Sequence, residues 1–552
     1  MLTLTRRLSA FLAALVWTAD MAMGQEPTQS GGVPSLVELE LAGATIGEIR
    51  IDNQNIFDLS DRKENNALFS LANRLHIRTR PEVIRNQLLF KSGELLSVRV
   101  IEETERLLRA NSYLYDVKIL PYAWHDGVVD IKVSTRDTWT FSPSGSLSRQ
   151  GGVNKAGLGF KEANLLGTGM RFSIATRGTV GGDGPAKNGA ELQLNYPNVL
   201  GSRATINYTK ATFGDNSSQS LSAIRPFYAL DTRWAAGASA GNSDSVISSY
   251  ANGNLTSQYR RNQDRAEAWG GWSEGLVDGW AHRYSGGVAY DNAAYSAGPA
   301  LAPPAQLAPD RTLVGPFLRY EGIQDDFRKL TNRDQIGRPE YFSLGWRSTL
   351  QFGRVLVGLG STQNASLYSG SLSKGLGVSA DSTLLVATAL SGEYANGRGD
   401  RQLLSGSARY YLRQDSGSVF FASVAGDRAK YSDGTQLFAI GGDTGLRGYP
   451  ASYQTGDRRV IFTSEQRFYT DWYPFQLFRV GGAVFYDMGR VWSGPYQNAA
   501  SDRWLHNAGF GARILSARSS TGTTLHFDFA FPLKRDPGTR SFLFSFHSKT
   551  GF

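Results

Sequence analysis

Two groups of residues in this 552-residue chain could do chemistry. The first is a glycine-rich run from Phe438 to Pro450, in which Gly441, Gly442, Gly445 and Gly448 surround Arg447. Glycines at this density invite comparison with a phosphate-cradling loop. No Gly-Lys-Ser/Thr follows, however, and no parallel βαβ pattern encloses the run, which argues against nucleotide binding. An arginine there suits another task, because a planar guanidinium engages carboxylates through paired charge-assisted bonds that lysine cannot reproduce. The second group is His526 and His547, near Asp528 and Ser545. A hydrolase needs a serine and a histidine within hydrogen-bond reach, with a third group to orient them. The remaining histidines, His76, His125, His282 and His506, are scattered. The chain has no cysteine, which excludes disulfides, zinc–thiolate sites and thiolate nucleophiles. No cofactor or metal is expected.

The elements that must position these residues follow from the periodicity. From Trp139 to Phe552 windows of about ten residues alternate in polarity, the signature of transmembrane β-strands. Phe542, Phe544, Phe546 and the terminal Phe552 share one parity, while Ser541, Ser545, His547 and Lys549 take the other. Leu525, Phe527, Phe529 and Phe531 alternate with Thr524, His526 and Asp528 in the same way. Apolar faces would meet lipid and polar faces a wet lumen, the inverse of a soluble sandwich. The 62 glycines, 29 phenylalanines, 24 tyrosines and 11 tryptophans suit turns and pleated surfaces. The stretches Asn164 to Gly167 and Asn198 to Gly201 read as equivalent turns of successive hairpins.

Ahead of this region lies a mixed α/β pattern. A strand spans Ala44 to Ile51, helices cover Asn65 to Leu75 and Pro81 to about Phe90, and Ser97 is placed to cap another. Two strands follow, joined by a turn at His125, Asp126 and Gly127. At the N-terminus, Arg6 and Arg7 precede an apolar run from Phe11 to Trp17. It reads as a secretory signal peptide cut after Gly24. The divisions expected are therefore a signal peptide over 1–24, a linker over 25–43, an α/β domain over 44–137 and a barrel over 138–552. The formal charge of +9 is spread along the chain, so no nucleic-acid partner is expected.

The Leu446, Arg447, Gly448, Tyr449 core resembles the [VIL]-R-G-[FY] motif of the BamA/TamA-type outer-membrane assembly and secretion barrels. The α/β region is similar to that family's POTRA module, with a helical insertion between about Asp58 and Thr79. The resemblance implies a sixteen-stranded barrel in the bacterial outer membrane, with the α/β domain in the periplasm. It further implies that the motif loop folds into the lumen, where Arg447 meets Glu465 and Asp487 as acidic partners and Tyr449 could stack on the guanidinium. Parity agrees, since Val460, Phe462 and Phe468 face away from Glu465, and Val484 and Tyr486 face away from Asp487. Phe542, Phe544, Phe546 and Phe552 would form the C-terminal barrel signal. The function implied is assembly or insertion of outer-membrane proteins: the POTRA domain captures clients, and a seam between the first and last strands admits them. Export of a partner polypeptide, a passive porin and an outer-membrane hydrolase are the alternatives. Partners implied are outer-membrane lipids, unfolded polypeptide clients and periplasmic accessory proteins.

Overall fold

The computed structural model describes residues 33–150, 153–182, 187–303, 307–430, 437–442, 444–492, 503–520, 523–535 and 539–550. The expected signal peptide and Phe552 lie outside the described residues.

An α/β unit comes first, built from α1 (Leu36–Leu41), β1 (Thr45–Gln54), α2 (Ala67–Leu75), α3 (Pro81–Arg85), α4 (Val98–Arg109), β2 (Leu114–His125) and β3 (Val128–Asp137). The sheet order is β1-β3-β2, with β1 parallel and β2 antiparallel to β3. Alternate residues Val129, Ile131 and Val133 of β3 bury their side chains against Ile84, Ile101 and Leu108 of the helices. Asp126 and Gly127 both have positive φ, so β2 and β3 are joined by the tight two-residue turn that their types favour. The expected linker over 25–43 is corrected at its C-terminal end. There Ser35 and Glu38 form a reciprocal capping box that starts α1, and Leu39 enters the core. The helix expected from Pro81 to about Phe90 stops at Arg85 and continues as turns, Gln87 N–H to Ile84 O and Leu88 N–H to Arg85 O.

The rest is a membrane-spanning antiparallel β-barrel. Its wall begins with β4 (Phe141–Gln150), β5 (Val153–Leu165), β6 (Met170–Gly182), β7 (Asn188–Tyr196), β8 (Thr205–Phe213) and β9 (Asn216–Arg225). It continues with β10 (Trp234–Ala251), β11 (Asn254–Val277), β12 (Trp280–Ala297) and β13 (Arg311–Gln324). A separate hairpin of β14 (Phe327–Thr331) and β15 (Pro339–Ser343) interrupts the wall. The wall resumes with β16 (Arg347–Val355), β17 (Ala365–Gly377), β18 (Ser382–Ala395), β19 (Arg398–Arg413) and β20 (Ser418–Lys430). A second small ladder, β21 (Phe438–Ile440) with β22 (Gln454–Gly456), frames the motif loop. The wall then ends with β23 (Arg458–Tyr469), β24 (Phe478–Trp492), β25 (Leu505–Ser516), β26 (Thr523–Pro532) and β27 (Leu543–Thr550).

Among the described residues twenty strands close this barrel, which corrects the expected sixteen. A strand needs only about ten residues to cross a bilayer, and each window supplies one, with β27 returning to β4 to close the ring at Phe546 and Arg149. Lipid-facing positions are apolar and open, as at Leu158, Leu318, Leu350, Phe352 and Phe510. Among the described residues no helix is long and apolar enough to cross a membrane.

The α/β unit packs under one end of the barrel, here called the near end. Asn164 and Asn198 mark equivalent near-end turns, as expected: Leu166 with Gly167, and Leu200 with Gly201, take positive φ. Arg203 donates to Leu88 O at 2.8 Å, Leu230 N–H to Glu103 at 2.8 Å and Lys329 to Glu105 at 3.0 Å. Glu64 pairs with Arg518, and Arg99 with Asp231. The α2 insertion contributes Phe69, stacked on Phe57 at 3.9 Å and packed with Ile56 and Leu477.

Leu318 is 71% exposed at the middle of β13. Leu318→Arg should destabilise the barrel by about 2–4 kcal/mol in bilayers. Urea unfolding in vesicles, followed by the gel mobility of unheated samples, measures this directly.

Candidate functional site

The motif loop descends from the far end between β20 and β23. Leu446 N–H bonds to Gly441 O at 2.9 Å and Tyr449 N–H to Leu446 O at 3.0 Å, so the chain turns tightly and projects Arg447 to the wall. Leu446 is fully buried with Ile440, Tyr449, Tyr453, Val491 and Leu505, an apolar anchor that holds the loop inside a polar lumen. Gly448 is required by proximity. A Cβ there would lie 2.6 Å from Asn507 Cβ, well inside contact distance.

Arg447 meets both expected acids. Its Nε and Nη2 donate to the two Asp487 oxygens at 2.9 and 2.7 Å, and Nη1 donates to Glu465 at 2.7 Å. Register explains the convergence. Thr463 lies opposite Asp487 and donates to it at 3.0 Å, while Asn507, opposite Asp487 on the next strand, donates at 2.8 Å. Asp487 and Glu465 are buried, so each charge relies on these bonds in place of water.

The expected stacking of Tyr449 on the guanidinium is corrected. Phe485 takes that place, its ring centroid 3.4 Å from Arg447 Cζ. Phe485 shares inward parity with Asp487, two residues along β24, and Gly509 leaves room for its ring. Tyr449 turns elsewhere: its hydroxyl lies 3.1 and 2.9 Å from the backbone carbonyls of His506 and Lys534, which fastens the loop to the far ends of β25 and β26.

The cluster is larger than the three residues the sequence indicated. Asp528 lies 3.6 Å from Arg447 and accepts from Arg513 at 2.6 Å. Arg467 donates to the second Glu465 oxygen at 2.9 Å, and Phe421 lies beneath its guanidinium at 4.0 Å. Arg467 also reaches the near-end hairpin, donating to Arg333 O at 2.6 Å and pairing with Asp334 at 3.3 Å. Inward parity was the available signal for Arg467, Arg513 and Asp528. Asp334 had none, because it arrives on a hairpin set by tertiary packing. Within that hairpin Glu340 accepts the backbone N–H groups of Arg333, Asp334 and Gln335. Burial nevertheless pushes its carboxyl up to about 7.

His526 and His547 lie side by side, ring centroids 5.4 Å apart, on the inner face. The neighbouring Asp528 is committed to arginine rather than to an imidazole. Phe544 stacks obliquely on Phe529 at 4.8 Å and Phe546 on Phe527 at 6.1 Å, and Phe542 is exposed. Two cavities follow the opposite wall, the smaller of them lined mainly by small residues. One of about 290 Å³ is lined by Ser369, Ser371, Ala389 and Ser405, and one of about 450 Å³ separates the hairpin from Arg347, Lys374 and Arg409.

The chain is similar to several solved barrels. CdiB from Escherichia coli is 12% identical, with a TM-score of 0.46 over 92% of this chain and 76% of that one. CdiB from Acinetobacter baumannii is 12% identical, TM-score 0.44, over 92% and 73%. BamA from Haemophilus ducreyi lacking POTRA domains 1–3 is 14% identical, TM-score 0.39, over 91% and 84%. No family model and no curated protein matches the chain.

Removing one partner from a buried ion cluster costs about 3–5 kcal/mol, because the remaining charges lose their compensation. Arg447→Ala should therefore loosen the loop, raising amide hydrogen exchange over 438–456 while the wall strands stay protected. Arg447→Lys restores charge without the two-pronged geometry and should give intermediate exchange.

Proposed function

We propose that this chain is an outer-membrane barrel that assembles or inserts other β-barrel proteins. In this reading the N-terminal unit serves as a POTRA-type periplasmic domain and captures unfolded clients. The observation that carries it is the clamp of Arg447 on Glu465 and Asp487, which holds an inserted loop in a lumen that a second hairpin enters from the near end. A passive porin would conduct through an open lumen, whereas here inserted segments occupy it, so the wall is the more plausible route for a client.

The closure between β27 and β4 is where a client strand would enter. Among the described residues the two strands pair at Phe546 and Arg149, whereas β26 and β27 pair from Thr523 with Thr550 to Ala530 with Leu543. A short ladder is cheaper to open and exposes backbone groups that pair with any strand irrespective of its sequence. In the α/β unit β2 is an edge strand with Pro121 at an irregularity, an edge suited to β-augmentation. Client insertion then runs downhill as apolar strand faces enter lipid and backbone groups find partners. This reading assigns no catalytic step and needs no metal or nucleotide. Export of a partner polypeptide is the second reading, favoured by the small-residue cavity along β16–β19.

Arg447→Ala should impair assembly in a complementation assay while barrel levels in the membrane remain normal. Glu465→Ala and Asp487→Ala should add little to it, since all three act as one unit. Wild-type behaviour of all three variants would defeat the clamp's functional role. The chain has no natural cysteine, so Arg149→Cys with Phe546→Cys gives a clean seam lock. Locked protein should lose assembly and regain it on reduction. Undiminished assembly in the locked form would exclude the seam route, and secretion of a partner by the locked form would favour export.

A further inference from the structure

The insertion carrying α2 has an apolar flank that the α/β core does not use. Phe69 faces inward, but Leu68, Leu71 and Leu75 are 65%, 49% and 65% exposed, and Ile77 beyond them is 55% exposed. Their spacing of three and four places the leucines on one side of the helix. Both ends of the insertion are fastened to near-end turns of the barrel. At one end Glu64 holds Arg518, in the turn between β25 and β26. At the other, Asn164 donates to Thr79 at 2.8 Å and Arg80 N–H to Gly167 O at 2.9 Å, in the turn between β5 and β6. In the barrel order β25-β26-β27-β4-β5-β6 those turns flank the closure, so α2 crosses beneath it.

This position is continuous with the lipid-facing surface. Leu477, which packs on the α2 cluster, ends a turn whose Trp472 and Phe475 are 66% and 80% exposed, and the outward Phe468 and Phe478 flank that turn. Leu166 is exposed beside the other attachment. Exposed Arg62 and Lys63 precede the helix in the chain, exposed Arg74 lies on it and exposed Arg78 follows it. Leucines bordered by long basic side chains are the composition of a helix lying in a membrane interface, where the stems cover acyl chains and the charged heads reach lipid phosphates. We infer that α2 rests in the near leaflet beside the closure, with Leu68, Leu71 and Leu75 among the acyl chains and the arginines against anionic headgroups. The inference is independent of the client-assembly reading and stands or falls on lipid contact alone.

The test uses the full chain reconstituted in phosphatidylcholine–phosphatidylglycerol vesicles. Single-cysteine variants Leu68→Cys, Leu71→Cys, Leu75→Cys and, as an exposed site on the α/β sheet, Lys118→Cys would carry an environment-sensitive fluorophore, with barrel folding verified by gel mobility. The three leucine-site probes should show blue-shifted emission, strong quenching by lipids brominated on the acyl chain and weak quenching by aqueous iodide. The Lys118 probe should show the reverse, and omitting phosphatidylglycerol should reduce the blue shift. Iodide quenching at the leucine sites equal to that at Lys118 would overturn the inference. Shielding from both quenchers would overturn it too, by showing that protein covers the helix.

Discussion

The structure depends on one constraint: charges buried inside the barrel must be balanced by charges buried beside them. A carboxylate such as Asp487, without solvent exposure, is tolerable only with full hydrogen bonding. It receives two bonds from Arg447, one from Thr463 and one from Asn507. The loop thus completes the wall as much as the wall holds the loop. Replacing such a cluster by apolar residues need not weaken a protein, so its value lies in fixing one arrangement out of many.

That arrangement joins elements entering from opposite ends. The motif loop comes from the far side and the β14–β15 hairpin from the near side, and a chain of ion pairs links them through Arg447, Glu465, Arg467 and Asp334. The hairpin is itself tied to α4, where Lys329 and Tyr341 both donate to Glu105 and Phe327 lies under Arg106. At the far mouth Tyr250 and Gly253 of the β10–β11 hairpin bond to Thr455 and Tyr453. The described part of the loop is consequently anchored toward both ends of the lumen, through the hairpin that rests on the α/β unit and through the extended strands above.

Much of the wall was legible because a strand has a period of two. The parity that turns Val484 and Tyr486 toward lipid also turns Asp487 inward, and the same rule sorts Phe529 from Asp528. Parity reports the face but not the neighbour. Arg467 has the parity of Glu465, and Arg513 alternates with Ala512 and Ile514, but nothing in that pattern shows which carboxylates they meet. It also could not show that Phe485, rather than Tyr449, lies over Arg447. The strand number was divided for a related reason: the windows themselves count near twenty while the resemblance implied sixteen, and only pairing decides whether each window joins the wall.

By itself, then, the sequence indicated which residues face lipid and where the alternating region begins, both of which follow from local alternation. The pairing of Arg447 with Glu465 and Asp487 came from the resemblance of the motif, and alternation added only that both acids point inward. Tertiary structure alone decided the twenty-strand closure, the entry of Asp334 on a near-end hairpin and the placement of α2 across the seam. Each of these brings together positions far apart in the chain, and the energy of such contacts comes from register and burial that no local pattern encodes.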